Sequence, residues 1–158
     1  IFLEHKALYT MEGDVPAESY IVPFGEAAVV QEGDDVTIVA FGRMVNYAKE
    51  AAASLRKKGV SCEIIDPRTT SPLDTDTILE SVERTGRLVV ADESNPRCSM
   101  ASDISGFIAQ EAFGALKAPI QMVTAPHVPV PFAASLEDLY IPSPARIEEA
   151  VMKVKEYR

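Results

Sequence analysis

The feature that most narrows the fold is an alternation of buried strands with one-sided helices. Residues 36–41, Val36-Thr37-Ile38-Val39-Ala40-Phe41, form a short, nearly unbroken apolar run of the kind that suits a strand covered on both faces. Met44, Ala48, Ala52 and Leu55 then recur at helical spacing, and Gly59 supplies the stop. The unit repeats: a strand at 62–65, a helix holding Ile78, Leu79 and Val82 that ends at Gly86, and a strand at 88–91. Ser99 is placed to cap a third helix that buries Ile104, Phe107 and Ile108 and stops near Gly114; a strand at 120–124 follows. After a loop that holds Pro126, Pro129 and Pro131, Ser143 followed by Pro144 marks the start of a last helix with Ile147, Ala150, Val151 and Val154 turned inward. Such a pattern predicts an α/β fold of three layers, a mostly parallel sheet between two helix layers.

The stretch before Val36 is less regular. Ile1-Phe2-Leu3 reads as a strand remnant, and residues 12–23 carry Gly, Pro, Ser and charge without a helical period, which predicts a linker. Ala28-Val29-Val30 fits either a helix turn or an edge strand. The chain begins inside an apolar run without Met, so the natural polypeptide is expected to extend upstream.

A length of 158 residues allows one well-packed domain and no second full one. The formal charge of -9 argues against a nucleic-acid partner, since such binding neutralises phosphates with Lys and Arg. The largest basic cluster, Arg56-Lys57-Lys58, falls at a helix end, where cations complement the dipole. Cys62 lies within an apolar strand and two thiols make no disulfide framework, so a reducing, cytoplasmic setting is expected. No run of about 18 apolar residues offers a membrane span.

Doubly wound sheets take ligands at the carboxyl ends of their strands, here the loops after Phe41, Pro67, Glu93 and Thr124. None has the glycine pattern of a phosphate cradle; Gly42-Arg43-Met44 has one glycine where a dinucleotide fingerprint needs three. The segment from Asp92 to Ser99 gathers Glu93, Arg97 and Cys98 ahead of a helix N-terminus, an arrangement that can activate a thiol, with His127 as the one spatially plausible base. Against that stands a structural role, in which Glu93 and Arg97 fix the loop against a neighbouring subunit, Ser99 caps the helix, and His127, in a proline-stiffened loop, braces an interface or wall. His5 and His127 are not at metal-ligand spacing from a Cys or from each other, and Asp74-Thr75-Asp76 fits a helix start better than a cation site.

Four segments, in order, carry a resemblance to a known family: residues 36–45, Ile64-Ile65-Asp66-Pro67-Arg68-Thr69-Thr70-Ser71-Pro72-Leu73-Asp74, Thr85-Gly86-Arg87-Leu88-Val89-Val90-Ala91-Asp92-Glu93, and Val123-Thr124-Ala125-Pro126-His127-Val128-Pro129-Val130-Pro131-Phe132. They resemble the C-terminal, transketolase C-terminal-like domain of the beta subunit of thiamine-diphosphate-dependent E1 components. The Asp92–Ser99 segment looks most like acetoin dehydrogenase; pyruvate and branched-chain 2-oxo acid dehydrogenases are also similar. The resemblance implies a five-stranded mixed sheet with one antiparallel strand, with residues 1–20 ending a preceding pyrimidine-binding domain and linker, and 21–158 forming the domain.

In that family thiamine diphosphate and magnesium sit between the alpha subunit and the N-terminal half of the beta subunit. The chain has no match for the Gly-Asp-Gly motif that binds the metal and diphosphate, so the resemblance implies that this stretch binds no cofactor and is inactive alone. The parent reaction would cleave acetoin or a 2-oxo acid next to its carbonyl and pass the acyl unit to lipoamide. The implied partners are the E1 alpha subunit, a second beta subunit and the subunit-binding domain of a lipoyl acyltransferase (E2). Glu93, Arg97, Lys117, His127 and Arg158 are the candidate interface residues. Lys117 departs from the family's pattern, because relatives carry an acid before the Ala-Pro pair that is Ala118-Pro119 here, and a like charge facing a basic partner costs affinity. The rival readings are a free-standing flavodoxin-like binder of a nucleotide or other small ligand, and a small thiol enzyme.

Overall fold

The computed structural model describes residues 1–157; Arg158, one of the candidate interface residues, lies outside them. Five strands form one sheet: β1 (Ala28–Gln31), β2 (Val36–Ala40), β3 (Cys62–Asp66), β4 (Leu88–Asp92) and β5 (Gln121–Thr124), in the spatial order β1-β3-β2-β4-β5. β1 runs antiparallel to β3 and every other pairing is parallel. This is the mixed, mostly parallel sheet that the alternation and the resemblance predict. Of the two readings left open for Ala28-Val29-Val30, the edge strand is the one observed.

Side-chain alternation along the central strands divides the core. Val36, Ile38 and Ala40 of β2 point to one face with Cys62 and Ile64 of β3, and pack under α1 (Arg43–Lys57) and α5 (Pro144–Lys155). Val39, Ile65, Leu88 and Val90 point to the other and pack under α2 (Thr75–Thr85) and α3 (Met100–Glu111). Each fully buried Ile or Leu in these layers contributes about 1.5–3 kcal/mol over its exposed state. Most of the helix positions read from spacing are buried: Met44, Ala48, Ala52 and Leu55; Ile78 and Val82; Ile104 and Ile108; Ile147, Val151 and Val154, whereas Leu79, Phe107 and Ala150, expected with them, are half-buried at the core's edge.

Helix ends follow local chemistry. The Asp74 carboxylate accepts from Thr77 N–H at the start of α2, Ser99 and Ser102 close a reciprocal cap on α3, and Ser143 with Pro144 opens α5. Gly86 ends α2 at φ 72°, a left-handed conformation that glycine alone adopts without cost.

Three local expectations are corrected. Residues 1–3 form no strand and stand fully exposed, pairing with none of the five strands. α3 stops at Glu111, and Gly114 lies instead in a separate 3-10 turn, Phe113–Ala115. The proline loop contains a short helix, α4 (Ala134–Tyr140), none of whose residues is buried.

The amino ends of the strands are closed by polar contacts. The Thr37 hydroxyl, fully buried, pairs with Ser81 at 2.7 Å and Thr85 at 2.8 Å on α2, and Ser81 donates to the Glu63 carboxylate at 3.1 Å. Arg84 forms an ion pair with Glu63, donates to Gly33 C=O at 2.7 Å and reaches Asp34. The β1–β2 turn is thereby tied to α2. No helix among the described residues is long and apolar enough to cross a membrane.

Candidate functional site

The order β1-β3-β2-β4-β5 reverses direction between β2 and β4. From β2 the chain passes through α1 on one face, and from β4 through α3 on the other, leaving a crevice at the carboxyl ends of the two strands, where such sheets hold their ligands. In this chain the crevice holds the chain's own N-terminal segment. His5 lies beside Gly42, the residue before α1, and its Nε2 sits 2.6 Å from Glu93 Oε2, just beyond β4. Both side chains are about one-third exposed. A cleft of about 420 Å³ adjoins this pair, walled by Lys6, Arg43, Val130, Tyr140 and Ile141.

The loop between β4 and α3 braces itself and its neighbour. Asp92 accepts from Ser94 N–H and Asn95 from Arg97 N–H, two Asx turns in succession, while Ala125 N–H donates to Ser94 C=O. His127 is exposed, with Nδ1 3.3 Å from Asn95 Oδ1 of this loop. Arg97 is exposed and only its backbone is engaged in this loop. Cys98 is also exposed, with φ 51°, and among the described residues no hydrogen bond joins it to His127. The pair that a thiol nucleophile requires is therefore not assembled.

Cys62 is the opposite case, since burial, reinforced by the Asp35 charge, pushes its thiol up to about 12. Native protein at neutral pH should consequently take up one equivalent of iodoacetamide, on Cys98, and a second only when denatured. Mass spectrometry of the alkylated chain checks this. Native labelling of Cys62 would contradict the buried β3, and labelling of Cys98 far faster than a free thiol would revive the thiol-enzyme reading.

The loop after β3, the family-like stretch in the sequence, is occupied in holding β1. Arg68, at φ 57°, turns back and donates from Nε to Glu26 C=O at 3.0 Å and from a terminal nitrogen to Ala27 C=O. Thr69 accepts from Gly25 N–H, and Asp74 accepts from Ala27 N–H at 2.7 Å while it caps α2. Burial alone would raise the Asp74 carboxyl, but the Ala27 and Thr77 donors outweigh it and hold the group below the usual carboxylate range. Asp74 at this helix start therefore both caps α2 and tethers the entry to β1.

Lys117 stands apart from Glu93, Arg97 and His127. It lies at the amino end of the sheet, its stem against Gly86, where its backbone N–H donates to Gly86 C=O and its ammonium lies 3.3 Å from Thr85 C=O. An exposed cation thus also satisfies the C-terminus of α2. Among the described residues no group of three or more His, Cys, Asp or Glu side chains is placed to hold a metal ion. The His5–Glu93 contact was missed in the sequence. The partners lie 88 residues apart, and no local pattern signals such a pair.

The family model described as the transketolase C-terminal domain matches residues 25–147. The beta subunit of acetoin:2,6-dichlorophenolindophenol oxidoreductase of Cupriavidus necator is 62% identical over 97% of this chain and 45% of that protein. The pyruvate dehydrogenase E1 component subunit beta of Rickettsia felis is 45% identical over 99% of this chain and 48% of that protein. The chain thus spans about half the length of the curated relatives it matches. Among solved structures, a split-gene transketolase described as an inactive beta4 tetramer superposes with a TM-score of 0.77 and 28% identity, over 92% of this chain and 46% of that one.

Proposed function

The chain belongs to the family described as the transketolase C-terminal domain, and from that premise we propose that it is the assembly and docking domain of a thiamine-diphosphate-dependent dehydrogenase beta subunit. In this reading residues 1–20 are the end of a preceding pyrimidine-binding domain with its linker, and 21–158 are the assembly domain. The parent substrate is acetoin first, with 2-oxo acids as the alternative, and the assembly is cytoplasmic. The observation that carries the reading is the 62% identity to an acetoin oxidoreductase beta subunit across 97% of the chain.

The geometry supports a domain that builds contacts. Its switch-point crevice is partly occupied by His5, and the described residues offer neither a metal cluster nor a glycine-rich phosphate loop. In this reading thiamine diphosphate and magnesium are held by other parts of the parent enzyme, and no step of the thiamine chemistry is assigned to these residues. The proposed partners are an alpha subunit, a second beta subunit and the subunit-binding domain of a lipoyl acyltransferase. Arg97 and His127, both exposed, are proposed as contact residues. Glu93 contributes through its hold on His5, and Lys117 through the charge it adds at the amino end of the sheet.

A chimera tests this. The corresponding stretch of the Cupriavidus necator beta subunit is replaced by this chain, and the product is expressed with that enzyme's alpha subunit. Co-purification and acetoin-dependent reduction of dichlorophenolindophenol are expected, whereas the chain alone with thiamine diphosphate and magnesium should give none. A folded chimera that neither assembles nor turns over would overturn the reading. Saturable binding of a flavin or adenine nucleotide by the chain alone would favour the small-ligand binder.

A further inference from the structure

We infer that residues 5–11 are an intramolecular strap laid across the crevice between the carboxyl ends of β2 and β4, with the His5 ring seated where a doubly wound sheet would otherwise take a ligand. Three observations carry this. His5 Cδ2 lies 3.9 Å from where a Cβ on Gly42 would stand, and its Nε2 is hydrogen-bonded to Glu93, so the ring sits between the ends of two adjacent strands. The segment then turns through a 3-10 helix, Lys6–Leu8, with Leu8, Tyr9 and Met11 N–H bonded in succession to His5, Lys6 and Leu8 C=O. Its far end is held on α1, where Asn46 Nδ2 donates to Met11 Sδ at 3.5 Å.

The chain itself selects the His5 tautomer. Ala7 N–H donates to Nδ1 at 3.2 Å, and because a backbone amide can only donate, Nδ1 must be the bare nitrogen. The ring proton then resides on Nε2 and is given to the Glu93 carboxylate, a charge-assisted bond at 2.6 Å. Capping its own turn and gripping the sheet are thus done by opposite edges of one ring. His5 acts as a positioning residue: it fixes where the chain leaves the domain. Within a beta subunit of the proposed kind, a point that rests on that reading, the strap would set how the preceding half is joined to the sheet.

The test uses the chain itself and needs no enzyme activity, so failure of the strap is separable from failure of the functional reading. Nitrogen NMR of the wild type should show His5 as the Nε2–H tautomer, and backbone order parameters for residues 6–11 should be near 0.8, a rigid value. His5→Ala and Glu93→Ala should each lower them below about 0.6 while leaving β2 and β4 unchanged. Glu93→Gln keeps an acceptor for the Nε2 proton and should keep the strap ordered. Free imidazole should shift the Gly42 and Glu93 amide resonances saturably in His5→Ala and leave the wild type unmoved. An equally ordered strap in His5→Ala, or a flexible one in the wild type, would overturn the strap; an imidazole titration without effect would overturn the assignment of the ring to a ligand position.

Discussion

Gly33→Ala is expected to destabilise the chain by about 3 kcal/mol or more, the upper range for overpacking a closed site. An added Cβ would lie 2.2 Å from the carbonyl carbon of Cys62, 2.4 Å from its oxygen and 2.6 Å from Glu63 N. These are backbone atoms at the start of β3, paired in register with β2, and they cannot rotate away as a side chain would. Nor can the turn lift freely, since Gly33 C=O is bound by Arg84 and Asp35 is tied to Ser61 through both backbone and carboxylate. For a chain of this size the loss corresponds to a fall in Tm on the order of 6–12 °C. Gly106→Ala is the control of opposite sign: it lies within α3 with nothing within 4 Å of the added atom, and should gain about 0.5–1 kcal/mol from helix propensity. Paired thermal melts of the two variants check both, and an unchanged midpoint for Gly33→Ala would mean that the turn does not pack on β3 as described.

The contrast between these two glycines marks how much of the fold could be read from the sequence. The buried strands β2, β3 and β4 are legible because both faces are covered, so most of their residues are apolar; the helices are legible because only one face is covered. Ser99, Ser143 and Gly86 signal their ends through chemistry that acts within three or four residues. Gly33 gives no such sign, because its constraint is a close approach between segments 29 residues apart in sequence (Gly33 to Cys62). β1 was ambiguous for a related reason. It is an edge strand of four residues with a bulge and only partial burial, so neither alternation nor an apolar run develops. α4 has seven residues and buries none, which leaves no apolar stripe to detect.

The site was less legible still. Family-like residues such as Arg68, Thr69 and Asp74 are visible in the sequence, but their task, holding residues 25–27 at the entry to β1, depends on partners more than 40 residues away. Glu93 and His127 stand out in the sequence as candidate interface residues, while the residue that meets Glu93 lies unmarked in the N-terminal stretch. One signal was available and unused: Thr37 and Glu63 are polar residues inside strands that otherwise read as buried. A polar residue in such a place needs a partner.

That pairing leads to the second large effect. Arg84→Ala should cost about 2–3 kcal/mol, because it strands the Glu63 carboxylate, whose side chain is only 6% exposed, without its cation. The loss is set below the full 3–5 kcal/mol of a broken buried pair because Arg84 is itself 46% exposed and partly screened by water. If the burden lies in the uncompensated charge, neutralising it should relieve it. Glu63→Gln in the Arg84→Ala background should therefore recover about 1 kcal/mol, even though Glu63→Gln alone is destabilising by removing the ion pair. The amide can still accept from Ser81, so the Thr37 hydroxyl network on α2 stays connected. Denaturant titrations of the two single variants and the double one close the cycle. A strictly additive double variant would show that Arg84 stabilises this end of the sheet through Gly33 and Asp34 alone, and that the Glu63 carboxylate is compensated by its hydroxyl neighbour without need of a cation.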